Sequence, residues 1–250
     1  HFDLLKGVTS TTQLQNTLKA QYAGRESVNI GTLFEPDQAA LERLKPDLII
    51  IGGRSSNQFE KLSALAPTLD LSIAPDQFLA GVQRNLQVLG EIFDKQEQAA
   101  QLQAQLNKEL AAVHAKSAGL SSLTLFTVND ALMLHAPGER FGMLNDVLGT
   151  RSVVESVDPA SVAQGRPAPD SPEARQLRER QKVRLEAALQ EQPQWLVVLD
   201  RGAATGGEGK ADETLGKHAG IAASKAWIDG KVFYLEPATW YIATGGYQGL

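Results

Sequence analysis

Two segments of this chain end a run of apolar residues on an arginine: Ile49-Ile50-Ile51-Gly52-Gly53-Arg54 and Leu196-Val197-Val198-Leu199-Asp200-Arg201. Continuous short apolar runs read as strands of a parallel sheet buried on both faces. Ligands of such sheets lie beyond the carboxyl ends of the strands, so an arginine there faces a crevice rather than bulk water. A third arginine, Arg140, sits in Pro137-Gly138-Glu139-Arg140-Phe141-Gly142, a turn that opens a helix. Guanidinium groups present planar donor forks to oxyanions. Three of them at comparable places point to a floor that binds an anion. The alternative for each is a pair with a local acid such as Glu139 or Asp200.

The segment Glu236-Pro237-Ala238-Thr239-Trp240-Tyr241 follows the last apolar run and precedes the turn Gly245-Gly246. Trp240 and Tyr241 beside a cleft would supply flat apolar contact and a hydroxyl. A phenolate is also a hard oxygen ligand suited to Fe(III). Core packing with a satisfied phenol is the other reading. Enzyme signatures are missing. His1, His114, His135 and His218 are isolated, and neither a GxSxG elbow nor a GxxxxGK[ST] phosphate loop occurs. Gly206-Gly207-Glu208-Gly209-Lys210 lacks the spacing of such a loop, and no acid/base pair of carboxylates stands out.

The elements that must position these residues alternate. The pattern predicts an amphipathic helix over 2–22, a strand at 28–30, a helix from Glu35 to Leu44, a strand at 48–51, a helix over 56–65 and a strand near 69–73. Residues 78–116 read as helical and nearly unbroken, with 91–116 rich in good helix formers. Strands follow at 123–128 and 131–134, a helix at 141–148, a helix at 183–191, a strand at 195–199, a helical segment near 214–225 and a strand at 231–235. The stretch 163–182, with Arg166, Arg175, Arg178 and Arg180, reads as an exposed loop leading into a helix, and the Gly-rich 202–211 as flexible. The order predicts an α/β fold of two Rossmann-like lobes joined by one long helix, with a ligand cleft between the lobes. Expected boundaries are 1–90, 91–117 for the linker helix, and 118–250.

Composition is permissive. The chain has 250 residues, a net charge of -5, 42% hydrophobic residues and no cysteine. Mild acidity argues against a nucleic-acid partner, and the missing cysteine excludes disulfides and thiolate chemistry. No apolar run approaches the roughly 20 residues a membrane-spanning helix needs. No signal peptide is visible at the opening His1-Phe2-Asp3-Leu4-Leu5, so targeting was removed or the segment is incomplete.

Six stretches together resemble the siderophore-binding proteins of ABC importers, in the long-helix-linked class of periplasmic binding proteins, nearest to the group that takes catecholates. They are Gly31–Asp37, Leu44–Arg54, Leu65–Leu69, Gly138–Gly149, Pro193–Arg201 and Val232–Tyr241, and they run in the family's order. The resemblance implies a monomeric binder without catalysis or a permanent cofactor, periplasmic or anchored on the outer face of the cytoplasmic membrane. It implies that Arg54, Arg140 and Arg201 form the cationic floor, and that Trp240 and Tyr241 line the site. Tyr241 would complete the coordination of siderophore-bound iron, and Glu35 would dock on the permease. The chain departs from relatives that carry a histidine in the loop before the VxDR strand, because 163–182 has none, and position 145 is Asn. The family's first strand and final helix are not evident, so both ends look truncated. Haem, cobalamin or a carboxylate siderophore in the same fold remains an alternative ligand, and a two-domain α/β enzyme on an anionic substrate an alternative of another class.

Overall fold

The computed structural model describes residues 7–8, 28–32, 34–128, 131–159, 168, 170–242 and 245–246; of the helix expected over 2–22 only Gly7 and Val8 are among them, and they form a strand, because they pair with Val28–Asn29, while the rest lies outside the described residues. The chain divides into two compact units, His1–Ile73 and Ala74–Leu250. Both mix strands and helices.

In the first unit β1 (Gly7–Val8) pairs parallel with β2 (Val28–Asn29). A turn then leads to α1 (Gln38–Leu44), where Asp37 Oδ1 accepts the Ala40 N–H at 2.9 Å. Glu35-Pro36-Asp37 is therefore the lead-in and cap rather than the first helical turn, because an aspartate side chain satisfies an orphan amide best from the N-cap. Next, β3 (Ile49–Ile51) follows; after it a 3-10 turn (Gly53–Gln58) and α2 (Phe59–Ser63) lead to β4 (Thr68–Asp70), which pairs parallel with β3. Ile49 and Ile51 pack with Leu41, Leu62 and Ala66. Ile50 is 49% exposed, so β3 alternates rather than being buried on both faces as expected.

The second unit opens with α3 (Phe78–Ile92) and α4 (Gln96–Ser117). The sequence reads as one helix here, yet the chain breaks at Asp94, whose φ is +52°. Two bonds close the break, Phe93 N–H to Leu89 O at 3.1 Å and Lys95 N–H to Gly90 O at 2.7 Å. The helices fold back on each other, with Gln83 Nε2 donating to Asn107 Oδ1 at 3.3 Å. Gly90 permits the close approach, since a Cβ there would stand 2.8 Å from the Ala99 Cβ. Good helix formers on both sides hide the break, because propensity alone cannot see a packing partner.

The sheet of this unit is built from β5 (Ser121–Val128), β6 (Ala131–Leu134), β7 (Arg151–Ser152), β8 (Trp195–Asp200) and β9 (Val232–Tyr234), in the order β6-β5-β8-β9 with β7 beside the start of β5. Strands β5, β7, β8 and β9 run parallel and β6 antiparallel. Leu123, Leu125, Leu196 and Val198 point to one face and pack against Leu185, Ala188, Leu215 and Ile221. Ser122 and Phe126, at the alternating positions, point to the other face, where Asn145 Nδ2 of α5 (Leu144–Leu148) donates to Ser122 Oγ at 2.9 Å.

The helix α6 (Pro172–Gln190) starts eleven residues before the expected 183. Ser171 caps it, and Pro172 sits at its first position, where a missing N–H costs nothing. Arg175, Arg178 and Arg180 are thus exposed helical residues, not loop residues. The single helix expected near 214–225 is three short ones, α8 (Ala211–Lys217), α9 (Ala219–Ala222) and α10 (Lys225–Ile228), divided where the side chains of His218 and Ser224 cap the next turn.

The Gly-rich segment after β8, expected to be flexible, begins with α7 (Arg201–Ala204) and is tied down by one carboxylate. Asp200 Oδ1 accepts the Ala203 N–H at 3.2 Å, and Oδ2 accepts those of Lys210 at 2.8 Å and Ala211 at 2.9 Å. Replacing it leaves three amides without that acceptor. Asp200→Ala is expected to lose about 1–3 kcal/mol of stability in urea unfolding, and Asp200→Asn, which keeps one acceptor oxygen, distinctly less.

Candidate ligand-binding site

The turn after β6 has little steric freedom. Ala136 O accepts the Glu139 N–H at 3.0 Å, and Glu139 O accepts the Gly142 N–H at 2.9 Å. A Cβ on Gly138, whose φ is +91°, would overlap the Val157 carbonyl, and one on Gly142 would overlap the Ala136 carbonyl. Glycine at both positions lets the chain curl tightly. The curl buries Phe141 and leaves Arg140 exposed.

Phe141 joins a stack of rings. Its centroid lies 5.1 Å from Phe126 at 20° and 6.2 Å from Tyr241 at 24°, while Phe126 and Tyr241 are 5.9 Å apart. Tyr241 comes from the π-helical turn Ala238–Ile242 just past β9. Arg201 follows β8, and because β8 and β9 are parallel, both features stand at the carboxyl edge of the sheet. Arg201 Nε donates to the Tyr241 hydroxyl at 3.1 Å. The Arg140 guanidinium carbon lies 4.8 Å from the Phe141 centroid and 5.2 Å from that of Tyr241, and Arg140 Nη2 donates to Tyr241 O at 3.3 Å. Two guanidinium groups thus meet one tyrosine, one on its ring and one on its hydroxyl.

The acids adjacent to these arginines in sequence, Glu139 and Asp200, hold other partners. Asp200 holds the backbone amides described above. Glu139 Oε2 accepts the Ala136 N–H at 2.7 Å, and Oε1 accepts Arg184 Nη1 at 3.0 Å. Among the described residues none of the ion pairs includes Arg201.

Of the residues singled out in the sequence, Arg140, Arg201 and Tyr241 come together in the second unit. Trp240 is half-buried in the same turn as Tyr241, its backbone N–H bonded to Glu236 O at 3.1 Å. Arg54 belongs to the first unit, on the 3-10 turn directly after β3, exposed, with its guanidinium 5.5 Å from the Phe34 centroid. Glu35 is an exposed residue of the turn before α1. Sequence reasoning missed Phe126, His135 and Arg184. The available signals were slight: Phe126 shares its strand face with Ser122, and Arg184 lies one helical turn from Gln181, whose Oε1 accepts the Leu134 N–H at 3.3 Å.

His135 stands between rings, 5.5 Å from Phe126 and 5.1 Å from Phe141, edge-on to both. Among the described residues neither ring nitrogen has a hydrogen-bond partner, and Glu139 Oε2 is 3.8 Å from Nδ1. Burial pushes its pKa down to about 4, with Glu139 opposing the shift and Arg140 and Arg184 adding to it. The imidazole is neutral at pH 7. Among the described residues no group of three or more His, Asp or Glu side chains is arranged to hold a metal ion, and no helix is long and apolar enough to cross a membrane.

A family described as periplasmic binding protein matches residues 3–239 of the chain. The petrobactin-binding protein YclQ of Bacillus subtilis is 27% identical over 224 residues, which cover 89% of this chain and 65% of YclQ. The chain spans just under two thirds of the length of the curated relatives it matches. Among solved structures, a TroA-like periplasmic binding protein of Xylanimonas cellulosilytica is 30% identical with a TM-score of 0.72, covering 92% of this chain and 74% of that one. The catecholate-siderophore binding protein VctP of Vibrio cholerae shares the fold at a TM-score of 0.77 and 24% identity, covering 97% and 82%.

The buried His135 sets a pH dependence. Between the ordinary histidine pKa near 6.5 and the folded value of about 4, the unfolded chain binds the proton more tightly. Stability contributed by the neutral imidazole is therefore fully present above pH 6.5 and lost as pH falls toward 4, at up to about 1.4 kcal/mol per pH unit. Denaturant unfolding from pH 7.5 to 4.5 is expected to show a shallower loss in His135→Phe than in the native chain.

Proposed function

Because this chain belongs to the periplasmic binding protein family, matched over residues 3–239, we propose that it captures a ferric siderophore, a catecholate by preference, and delivers it to an ABC importer permease. Its role is binding, not catalysis. The working place is outside the cytoplasmic membrane, and the siderophore with its iron is the cargo.

One observation carries the choice of ligand. Arg140 and Arg201 converge on the Tyr241 ring and hydroxyl, beside stacked Phe141 and Phe126, with Glu139 and Asp200 turned to other partners. A ferric catecholate is a multiply charged anion with flat aromatic ligands. Guanidinium groups donate to its oxygens and stack on its rings. Charge-assisted bonds contribute roughly 1.5–3 kcal/mol each before desolvation and ordering. Two or three with ring contact reach about −8 kcal/mol, a micromolar constant or better. The relatives support the same class, since YclQ is named for petrobactin and VctP for catecholate siderophores.

Within this reading Arg54 of the first unit adds a third guanidinium to the ligand, Trp240 lines the site, and Glu35 docks on the permease. The protein acts as a monomer.

Ferric catecholate is expected to quench Trp240 fluorescence with sub-micromolar affinity, and Arg54→Ala or Arg201→Ala to weaken binding at least tenfold. Tighter binding of haem, cobalamin or a ferric carboxylate chelate in the same titration would overturn the ligand class, and normal binding by both variants would overturn the site. Tyr241→Phe is expected to alter the charge-transfer band of a bound tetradentate ferric catecholate; an unchanged band would exclude phenolate coordination.

A further inference from the structure

Phe34 is 57% exposed, although the turn that carries it toward α1 is closely tied. Thr32 Oγ1 accepts the Phe34 N–H at 3.3 Å and the Glu35 N–H at 3.0 Å, and Glu35 O accepts the Thr32 N–H at 3.0 Å. Gly31, at a φ of +91°, lets the chain pass this close to itself, since a Cβ there would stand 2.5 Å from Glu35 O. Phe34 then meets the 3-10 turn Gly53–Gln58 at two points. Gln58 Nε2 donates to Phe34 O at 3.4 Å, and the Arg54 guanidinium carbon lies 5.5 Å from the Phe34 centroid. That turn directly follows β3, so the ring is tied to the strand end that bears Arg54.

Arg54 is itself exposed. A long charged side chain standing in water loses rotamer freedom when a ligand fixes it, and the loss subtracts from affinity. A guanidinium already resting on a ring face has less of that freedom to lose. The aromatic quadrupole supplies the attraction, while the charge and the donor fork stay available.

We propose that Phe34 is a positioning residue for Arg54, holding its guanidinium in the orientation in which it meets the ligand. This rests on the reading of Arg54 as a contact of an anionic ferric chelate. A merely structural role for the turn, or a Phe34 ring that touches the chelate itself, would change binding whether or not Arg54 is present. Positioning acts through Arg54 alone and needs an aromatic face.

The test titrates ferric tris-catecholate into the native chain, Phe34→Leu, Phe34→Tyr, Arg54→Ala, and the double variant Phe34→Leu with Arg54→Ala. Leucine keeps apolar bulk at an exposed position and removes the ring, whereas tyrosine keeps the ring. Expected for Phe34→Leu is binding about three- to fivefold weaker, the size of a cation–π contact at an exposed site. Phe34→Tyr should stay within about twofold of the native chain, and Phe34→Leu should cost nothing further once Arg54 is alanine. In ligand-free protein the Arg54 Nε–H resonance, assigned by its loss in Arg54→Ala, should move in Phe34→Leu as the ring current disappears. Unchanged affinity in Phe34→Leu overturns the proposal, as does an equal loss in the Arg54→Ala background, a Phe34→Tyr variant as weak as Phe34→Leu, or an unmoved Arg54 resonance. A native chain that binds no ferric chelate, or an Arg54→Ala variant that binds normally, defeats the ligand reading and this proposal with it. Dependence on Arg54 without dependence on Phe34 defeats this proposal alone, which separates the two failures. Circular dichroism and unfolding midpoints of each variant confirm that affinity is read on folded protein.

Discussion

The organising constraint of the second unit is the convergence of two permanent cations on one aromatic stack. Arg140 and Arg201 share Tyr241 as their contact. Like charges brought to one residue repel, more weakly where solvent reaches them, as it does at exposed Arg140. The ordinary remedy is a carboxylate, and the chain places one next to each arginine in sequence. Both carboxylates are committed to other donors, three backbone amides for Asp200 and Ala136 with Arg184 for Glu139. The guanidinium groups also meet an electron-rich ring face and the phenol oxygen.

Several otherwise unrelated features serve that arrangement. Gly138 and Gly142 permit the tight turn that separates Phe141, packed inward, from Arg140, held outward. The parallel register of β8 and β9 places Arg201 and the Tyr241 turn on the same edge of the sheet. His135 remains uncharged among these cations, because both burial and Arg140 and Arg184 disfavour a further proton.

The family resemblance and the bottom-up reading reach the same class of function by different routes. Membership comes from a match across most of the chain, while the ligand chemistry comes from donors, rings and charge at one strand edge. The stretch 163–182 is helical from Pro172, and the same helix brings Gln181 to β6 and Arg184 to Glu139 in the turn that bears Arg140. Arg175, Arg178 and Arg180 on that helix are exposed.

The sequence by itself determined the α/β class, most strands of the second unit, and the three residues Arg140, Arg201 and Tyr241 that meet there. Apolar runs, a Gly-bounded turn and strand-end arginines are local signals, written in neighbouring residues. Only the tertiary structure decided where the helix of 78–116 breaks, that Ile50 is exposed, that 202–211 is tied down, and which partner each acid takes. Those outcomes depend on pairs such as Gly90 with Ala99, Asp200 with Lys210, and Glu139 with Arg184. The members of such a pair stand apart in the chain, and no local propensity distinguishes a carboxylate that will neutralise its neighbour from one that a distant donor will claim.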